Sequence, residues 1–314
     1  MFSHQVITDL KSHSKTTPDP VFRDNLILIC DLMHKSMKFY IGEQDEFLAL
    51  FKKYNYDSKT HKTTALFKGE LGQDIRLPSK ICWVDFTVKT TEIAPGNTAV
   101  PKRGILAIEI DPDLIGVYIL NYLPKTKDWM PSPNAYLIGL DRILDINIFH
   151  TYPSPFNRLD TKVSNSESVP NISTVPLLKN VSIDSVKAAF YDDGPDLKSL
   201  NMMLMLLNCK NVTNEVVEAP VKLNKKRRKK GRQELYKYHT LQLVLPNKNR
   251  KYSAGSIKSS DKVPLHICRG HFKNYIPESP LFGKYIGRYW WQSHTRGVKE
   301  KGVIEKNYNV TVKN

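Results

Sequence analysis

Histidine and arginine recur two residues apart at two places near the end of this 314-residue chain. Arg269 and His271 stand in LHICRGHF (265–272), and His294 and Arg296 in GRYWWQSHTRG (287–297). These residue types suit cleavage of RNA without a metal. One histidine takes the 2′-hydroxyl proton and the other protonates the leaving 5′-oxygen, since imidazole titrates near neutral pH. The guanidinium groups grip phosphate oxygens in bidentate fashion and keep their charge. Side chains alternate along a strand, so each couple shares one face of its strand, with Trp290 on the face of His294. Antiparallel pairing in the right register would bring the two couples onto one surface. A slip of one residue would send one couple to the other side. Two plainer readings stand beside catalysis: a phosphate-binding surface without turnover, and a hydrogen-bonded core role for His266 or His271.

The charge around these couples favours an anionic partner. Residues 1–220 carry 24 Lys/Arg against 26 Asp/Glu, a net of −2, whereas residues 221–314 carry 23 against 5, a net of +18. The basic part opens with KLNKKRRKKGR at 222–232. A cationic surface of this size attracts polyanions at long range, nucleic acid above all. Lys225, Lys226, Arg227, Arg228, Lys229, Lys230 and Arg232 are the expected backbone contacts, joined by His239, Lys273 and Arg288. Trp290 is the expected stacking platform for an unpaired base. As a solvated loop or extended arm, the same run would order only on binding.

Other chemistries find less support. Mg²⁺-dependent cleavage needs clustered carboxylates, and the last third offers only Glu234, Asp261, Glu278, Glu300 and Glu305, spread along it. EIDPD at 109–113 reads as a turn around Pro112. No CxxC pair, GxGxxG, Walker sequence, GxSxG or HExxH occurs. The expectation is a protein with no metal and no cofactor, its four dispersed cysteines serving as small buried apolar residues in a reducing compartment. The first residues lack the apolar stretch of a signal peptide. No window approaches the roughly 18–20 apolar residues of a membrane span.

The elements that must position these residues follow from pattern. A helix is expected over 19–40, capped near Asp19 and started by Pro20, and a second over 43–54. Residues 62–150 alternate β-branched and aromatic residues with turn residues, which predicts a mainly antiparallel sheet. The Ser-, Pro- and Asn-rich stretch 151–180 reads as a linker or long loop. Ser182 caps a helix over 183–191, Gly194 and Pro195 interrupt it, and a buried Leu/Met helix runs over 196–208. Four strands follow, at 236–245, 263–272, 287–297 and 306–312.

Several stretches resemble a family of uncharacterised proteins encoded by tailed phages and prophages. They are RLPSKICWVDF (76–86), LNCKNV (207–212), LNKKRRKKGRQELYKYHTL (223–241), LHICRGHF (265–272), LFGKYIGRYWWQSHTRG (281–297) and KNYNV (306–310), with the likeness strongest over 200–310. The resemblance implies a phage or mobile-element protein working in a bacterial cytoplasm. The family carries no established activity, so it assigns no functional residues.

The combined expectation is an α+β protein. Residues 1–150 form a helix plus antiparallel-sheet domain, 151–180 a linker, and 181–314 a basic domain of one helix packed on a four-stranded meander, RelE- or barnase-like by analogy of fold. The expected function is nucleic-acid binding, RNA rather than DNA, with ribonuclease action by His271, His294, Arg269 and Arg296 as its sharper form. Residues 1–150 are the expected contact for a phage or host protein, and no membrane association is expected. The competing class is a non-catalytic structural or interaction protein that binds an acidic phage or host protein.

Overall fold

The computed structural model describes residues 1–50, 76–89, 92–94, 97–98, 100–139, 172–177, 182–243, 264–268, 271–283, 285–291, 294–296 and 298–304. Helices α1 (Ser3–Thr16) and α2 (Pro20–Lys35) precede strand β1 (Met37–Glu43) and the short helix α3 (Gln44–Ala49). Asp19 caps α2: its carboxylate accepts from Val21 N at 2.8 Å and Phe22 N at 3.2 Å, with Pro20 at the first helical position, as the sequence predicted. The expected helix 19–40 stops at Lys35, because Met37 onward pairs as a strand. Residues 51–54 of the second expected helix lie outside the described residues.

Next come β2 (Ile81–Thr87), the small pair β3 (Glu92–Ala94) and β4 (Asn97–Thr98), then β5 (Lys102–Asp111), β6 (Leu114–Leu123) and β7 (Asp128–Gly139). Strands β2, β5, β6 and β7 are antiparallel neighbours, so the sheet read from 62–150 is present where that stretch is described. Strand β8 (Ile172–Pro176) lies inside the expected linker and pairs antiparallel with β7. The composition of 151–180 hid this five-residue edge strand.

Helix α4 (Ile183–Leu207) is continuous, capped by Ser182 Oγ accepting from Ser185 N at 3.2 Å. Gly194 and Pro195 do not break it, contrary to the sequence expectation. Proline removes one helical N–H and crowds the preceding turn. The loosened stretch is held from outside by Arg103 on β5, which donates to Asp192 O at 3.1 Å, and from within by Ser199 Oγ, which donates to Pro195 O at 2.9 Å.

Strand β9 (Val212–Val217), helix α5 (Val221–Lys229) and strand β10 (Tyr238–Leu243) complete the main sheet, whose order is β8-β7-β6-β5-β2-β1-β10-β9. Strand β1 runs parallel to both β2 and β10. Strands from 1–150 and from 181–314 therefore share one sheet rather than building two separate cores.

Beyond it, β11 (Pro264–Cys268) pairs with β14 (His294–Arg296) and β15 (Val298–Ile304), while β12 (His271–Tyr275) pairs with β13 (Gly287–Trp291). The expected four-strand meander is not what forms. Its first strand is β10, in the main sheet, and 306–312 lies outside the described residues.

The sheet is covered on both sides. Helices α1 and α2 bury Val6, Ile7, Leu10, Leu26, Ile29 and Met33 against Trp83, Leu106, Tyr118 and Leu137. Helices α3 and α4 bury Phe47, Leu200, Met203 and Leu204 against Cys82, Val84, Phe86, Ile105 and Val117. Residues 82 to 86 of β2 alternate between the two cores, and all five are buried. Asp85 is among them, and it accepts from Phe2 N at 2.6 Å and Trp83 Nε1 at 3.2 Å. Each large apolar side chain fully buried here contributes about 1.5–3 kcal/mol. Cys30, Cys82 and Cys209 are buried free thiols. Among the described residues no helix is long and apolar enough to cross a membrane.

Trp83 is fully buried and packs closely on Gly104 of β5, where an added Cβ would overlap its Cη2 and Cζ2 atoms. The indole has no room to retreat. Gly104→Ala is therefore expected to destabilise the protein by about 1–3 kcal/mol, read as a lower urea midpoint with an unchanged slope.

Candidate functional site: a cationic helix and its supports

Six of the nine residues of α5 (VKLNKKRRK) are Lys or Arg. Both are good helix formers, but like charges four apart repel, so the helix needs outside help. It has three supports. Buried Asn224 accepts from Leu235 N and donates to Leu235 O, both at 2.8 Å. Arg227 Nε donates to Gln233 O at 2.7 Å, and Arg228 makes a two-pronged contact with Glu234 at 2.7 and 3.1 Å. The end is closed by Gly231 at φ 62°, whose N–H donates to Arg228 O while Arg232 N donates to Arg227 O, both at 3.0 Å. That is the Schellman arrangement, which needs a residue tolerant of the left-handed region. The cations of the last turn also complement the helix dipole. The basic run is thus a built helix rather than a loop or an arm.

The segment after α5 folds back and docks on α2. Tyr236 OH lies 2.6 Å from His34 Nδ1 and accepts from Gln233 Nε2 at 2.9 Å. Lys38 Nζ stands 4.1 Å from the Tyr236 ring centre and donates to Met33 O at 2.7 Å and Ser36 O at 2.9 Å, tying off the end of α2. Burial pulls the Lys38 ammonium down to about 8, against the pull of Asp85. Burial, then the charge of Arg227, takes His4 on α1 down to about 4. The inner side of α5 is thereby committed. Lys222, Lys225, Lys226 and Lys229 share the outer stripe, are exposed, and have no carboxylate within ion-pair distance among the described residues.

The described members of the two His/Arg couples belong to different strand pairs. His271 is the cross-strand partner of Trp291, whereas His294 is the partner of Cys268 and Arg296 of His266. The two ladders keep one register, each step back from β12 to β11 matching one step forward from β13 to β14. By that count positions 271 and 294 are three cross-strand steps apart. Arg269 lies outside the described residues.

Two further expected contacts are internal. His239 is buried opposite Phe39 in the parallel β1–β10 pair, its ring 5.4 Å from the Phe39 ring, and burial and then Lys237 lower its pKa. Trp290 is buried against Phe272 at 4.6 Å between ring centres. Asn211 locks that strand to the end of α4, donating to Trp290 O at 2.7 Å and accepting from Trp290 N at 2.9 Å. Lys273 is exposed, 4.8 Å over the Tyr275 ring, and half-buried Arg288 donates to Asn274 Oδ1 at 3.0 Å.

Sequence reasoning missed the acid cluster of α4. Arg103 Nη1 donates to Asp196 Oδ2 at 2.9 Å and Nη2 to Asp192 Oδ2 at 3.0 Å, while Gln44 Nε2 donates to Asp196 Oδ1 at 2.7 Å. Burial alone would lower the Arg103 pKa, but Asp196 and Asp192 raise it. Asp193 accepts from Ser132 Oγ at 2.7 Å and from Tyr136 OH. Asp193 and Asp196 are sealed, at 1% and 0% exposed, so the cluster fixes α4 to the sheet and meets no substrate. DDGPD (192–196) places three acids in a helix whose remaining residues, LKSLNMMLMLL, are mostly apolar.

No family model, no curated protein and no solved structure matches the chain.

Burial is the largest cause that pushes the Asp193 carboxyl up to about 7 from its ordinary 3.8. Between those values the folded protein holds a proton that the unfolded chain releases. The contribution to stability is present in full below about pH 4 and is lost as pH rises through about 7. Urea midpoints from pH 5 to 8 should fall more steeply for the natural protein than for Asp193→Asn; parallel curves would contradict the assignment.

Proposed function

We propose that the chain is a phage- or prophage-encoded nucleic-acid-binding protein that works in the host cytoplasm and whose contact surface centres on α5. The observation that carries this reading is an ordered helix with six cations in nine residues and an outer lysine stripe with no carboxylate in ion-pair distance among the described residues. At 1.5 Å per residue α5 carries one positive charge per about 2 Å. Duplex DNA carries one negative charge per about 1.7 Å of axis, so the two densities match. The resemblance of residues 200–310 to phage proteins supports the setting.

The mechanism is electrostatic. The +18 of residues 221–314 steers a polyanion toward the helix. Lys222, Lys225, Lys226 and Lys229 then replace condensed counterions at successive phosphates, and counterion release drives binding. Such contacts position the backbone and read no bases. The reading stops at binding. Cleavage by His271 and His294 would need both within hydrogen-bond reach of one phosphate, and the supporting observations on α5 bear on binding alone.

Fluorescence anisotropy with RNA and DNA oligonucleotides over a salt series tests this. The logarithm of the affinity should fall linearly with the logarithm of salt. Lys225→Gln, Lys226→Gln and Lys229→Gln together should reduce the slope by about 2–3, at roughly 0.7–0.9 per contact, and weaken binding at least tenfold. A slope unchanged in the triple variant removes α5 from the interface. Tighter, salt-independent binding to an acidic protein would favour the interaction-protein class.

A further inference from the structure

The hairpin of β12 and β13 has two unlike sides. Residues opposite each other in an antiparallel pair share a side, and sides alternate along each strand. Phe272 and Trp290 are opposite one another and pack into the main core. The other side carries the pairs His271 with Trp291 and Lys273 with Tyr289, joined by Tyr275. Ring contacts follow the same alternation. Tyr275 stands edge-on to Tyr289 at 5.7 Å between centres, and Lys273 Nζ lies 4.8 Å over the Tyr275 ring. Tyr289 is buried as the floor of this side, His271, Tyr275 and Trp291 are partly exposed, and Lys273 is exposed. Burial, then the neighbouring Tyr285 and Tyr275 phenols, raises the Tyr289 pKa, so three tyrosine hydroxyls lie near one another. The turn at the hairpin tip is ordered: Leu281 N donates to Tyr285 O at 2.7 Å and Tyr285 N to Leu281 O at 3.0 Å. Between them Phe282 is exposed at φ 54°, an uncommon conformation for a bulky residue.

Rings interleaved with cations are the two ingredients of a surface for single-stranded nucleic acid. Tyr289 and Trp291, two residues apart on one strand, stand about 7 Å apart along it. Successive bases of a duplex strand stand only about 3.4 Å apart and cover each other's faces. The wider spacing therefore suits bases that have left the stack. The sign of the charge agrees. Residues 271–291 hold Lys273, Lys284 and Arg288 against Glu278 alone, and the stem of Lys210 lies beside Gly287. An acidic peptide would match that charge but would leave the rings without planar partners.

We propose that the outer side of the β12–β13 hairpin binds unpaired bases of a single-stranded nucleic acid, with the rings of Tyr275 and Trp291 as stacking platforms and Lys273 on the adjoining phosphate. For its class of ligand this rests on the nucleic-acid reading made for α5, and it adds a second surface that selects single strands. Fluorescence anisotropy of the full chain with oligo(U), oligo(dT) and a duplex of equal length, each over a salt series, tests it. At least one single strand should bind about fivefold or more tighter than the duplex, and the tighter of the two names RNA or DNA. Tyr275→Leu and Trp291→Leu keep apolar bulk but remove the ring. Each should weaken the single strand about fivefold or more and leave its salt slope and the duplex affinity unchanged. Tyr275→Phe should bind like the natural protein. If neither leucine variant folds, Lys273→Gln serves instead, and should weaken the single strand about threefold with little change for the duplex. The proposal is overturned if the duplex binds as tightly as both single strands, or if the folded leucine variants, or Lys273→Gln in their place, bind single strands like the natural protein. It is overturned too if poly-glutamate binds as tightly as the single strands and loses as much in the same variants, which would make this side a dock for an acidic protein. The reading of α5 fails by a different sign, an unchanged salt slope in its triple lysine variant, so either surface can fail while the other stands.

Discussion

The architecture turns on one guanidinium. Arg103 reaches from β5 to α4 and holds Asp192 on one side of the Gly194–Pro195 step and Asp196 on the other. Without it, α4 would be two half-helices meeting at a proline, each with loosened carbonyls. With it, they behave as one 25-residue rod across the sheet. A buried ion pair is weak testimony for net stability, because desolvation consumes much of the Coulomb gain. Its value here is geometric. Gln44 on α3 donates to the same Asp196, and Ser132 on β7 donates to the neighbouring Asp193, so the acid cluster also ties the helix to those two elements. Removing the arginine would leave Asp196 charged and sealed, which such sites tolerate poorly, at about 3–5 kcal/mol.

From that rod the rest follows in order. The buried Leu and Met residues of α4 close one face of the sheet, and Asn211 just beyond its end captures β13. The β12–β13 hairpin is thereby packed onto the main body through Trp290 and Phe272. The basic last third is therefore not a cationic appendage to a neutral domain. Its strands β9 and β10 complete the same sheet that the first residues begin, with β1 between β2 and β10. The division seen in charge is a division of surface, not of core.

This explains what could be read in advance and what could not. Local chemistry was legible: Asp19 and Ser182 as caps, the alternation of β2 through β7, and the burial of the Leu/Met helix all follow from neighbours a few residues away. Partners distant in sequence were not. Whether Pro195 ends a helix depends on Arg103, ninety-two residues earlier. Whether His271 meets His294 depends on register, and spacing two within each strand is compatible with either phase. Trp290 and Trp291 illustrate the same limit. Alternation required one of them to be buried, but only the docking by Asn211 decides that it is Trp290. The acid triplet of α4 was overlooked for a related reason. DDGPD takes its meaning from Arg103, on a β-strand far away in sequence.

The order imposed on α5 bears directly on function. A flexible arm of the same composition would present the same charge, but fixing its backbone on binding would cost about 1–2 kcal/mol per residue. Across nine residues that cost rivals the gain from several phosphate contacts. Asn224, Gln233, Glu234 and Gly231 bear it during folding instead, through bonds made to the backbone and to two arginines. Those bonds use the inner arginines and leave the outer lysines without a carboxylate partner among the described residues. A helix meant only to close the fold could have done so with fewer cations and less internal repulsion. Like charges concentrated on a braced, exposed helix are a stability cost that an anionic partner would turn into affinity.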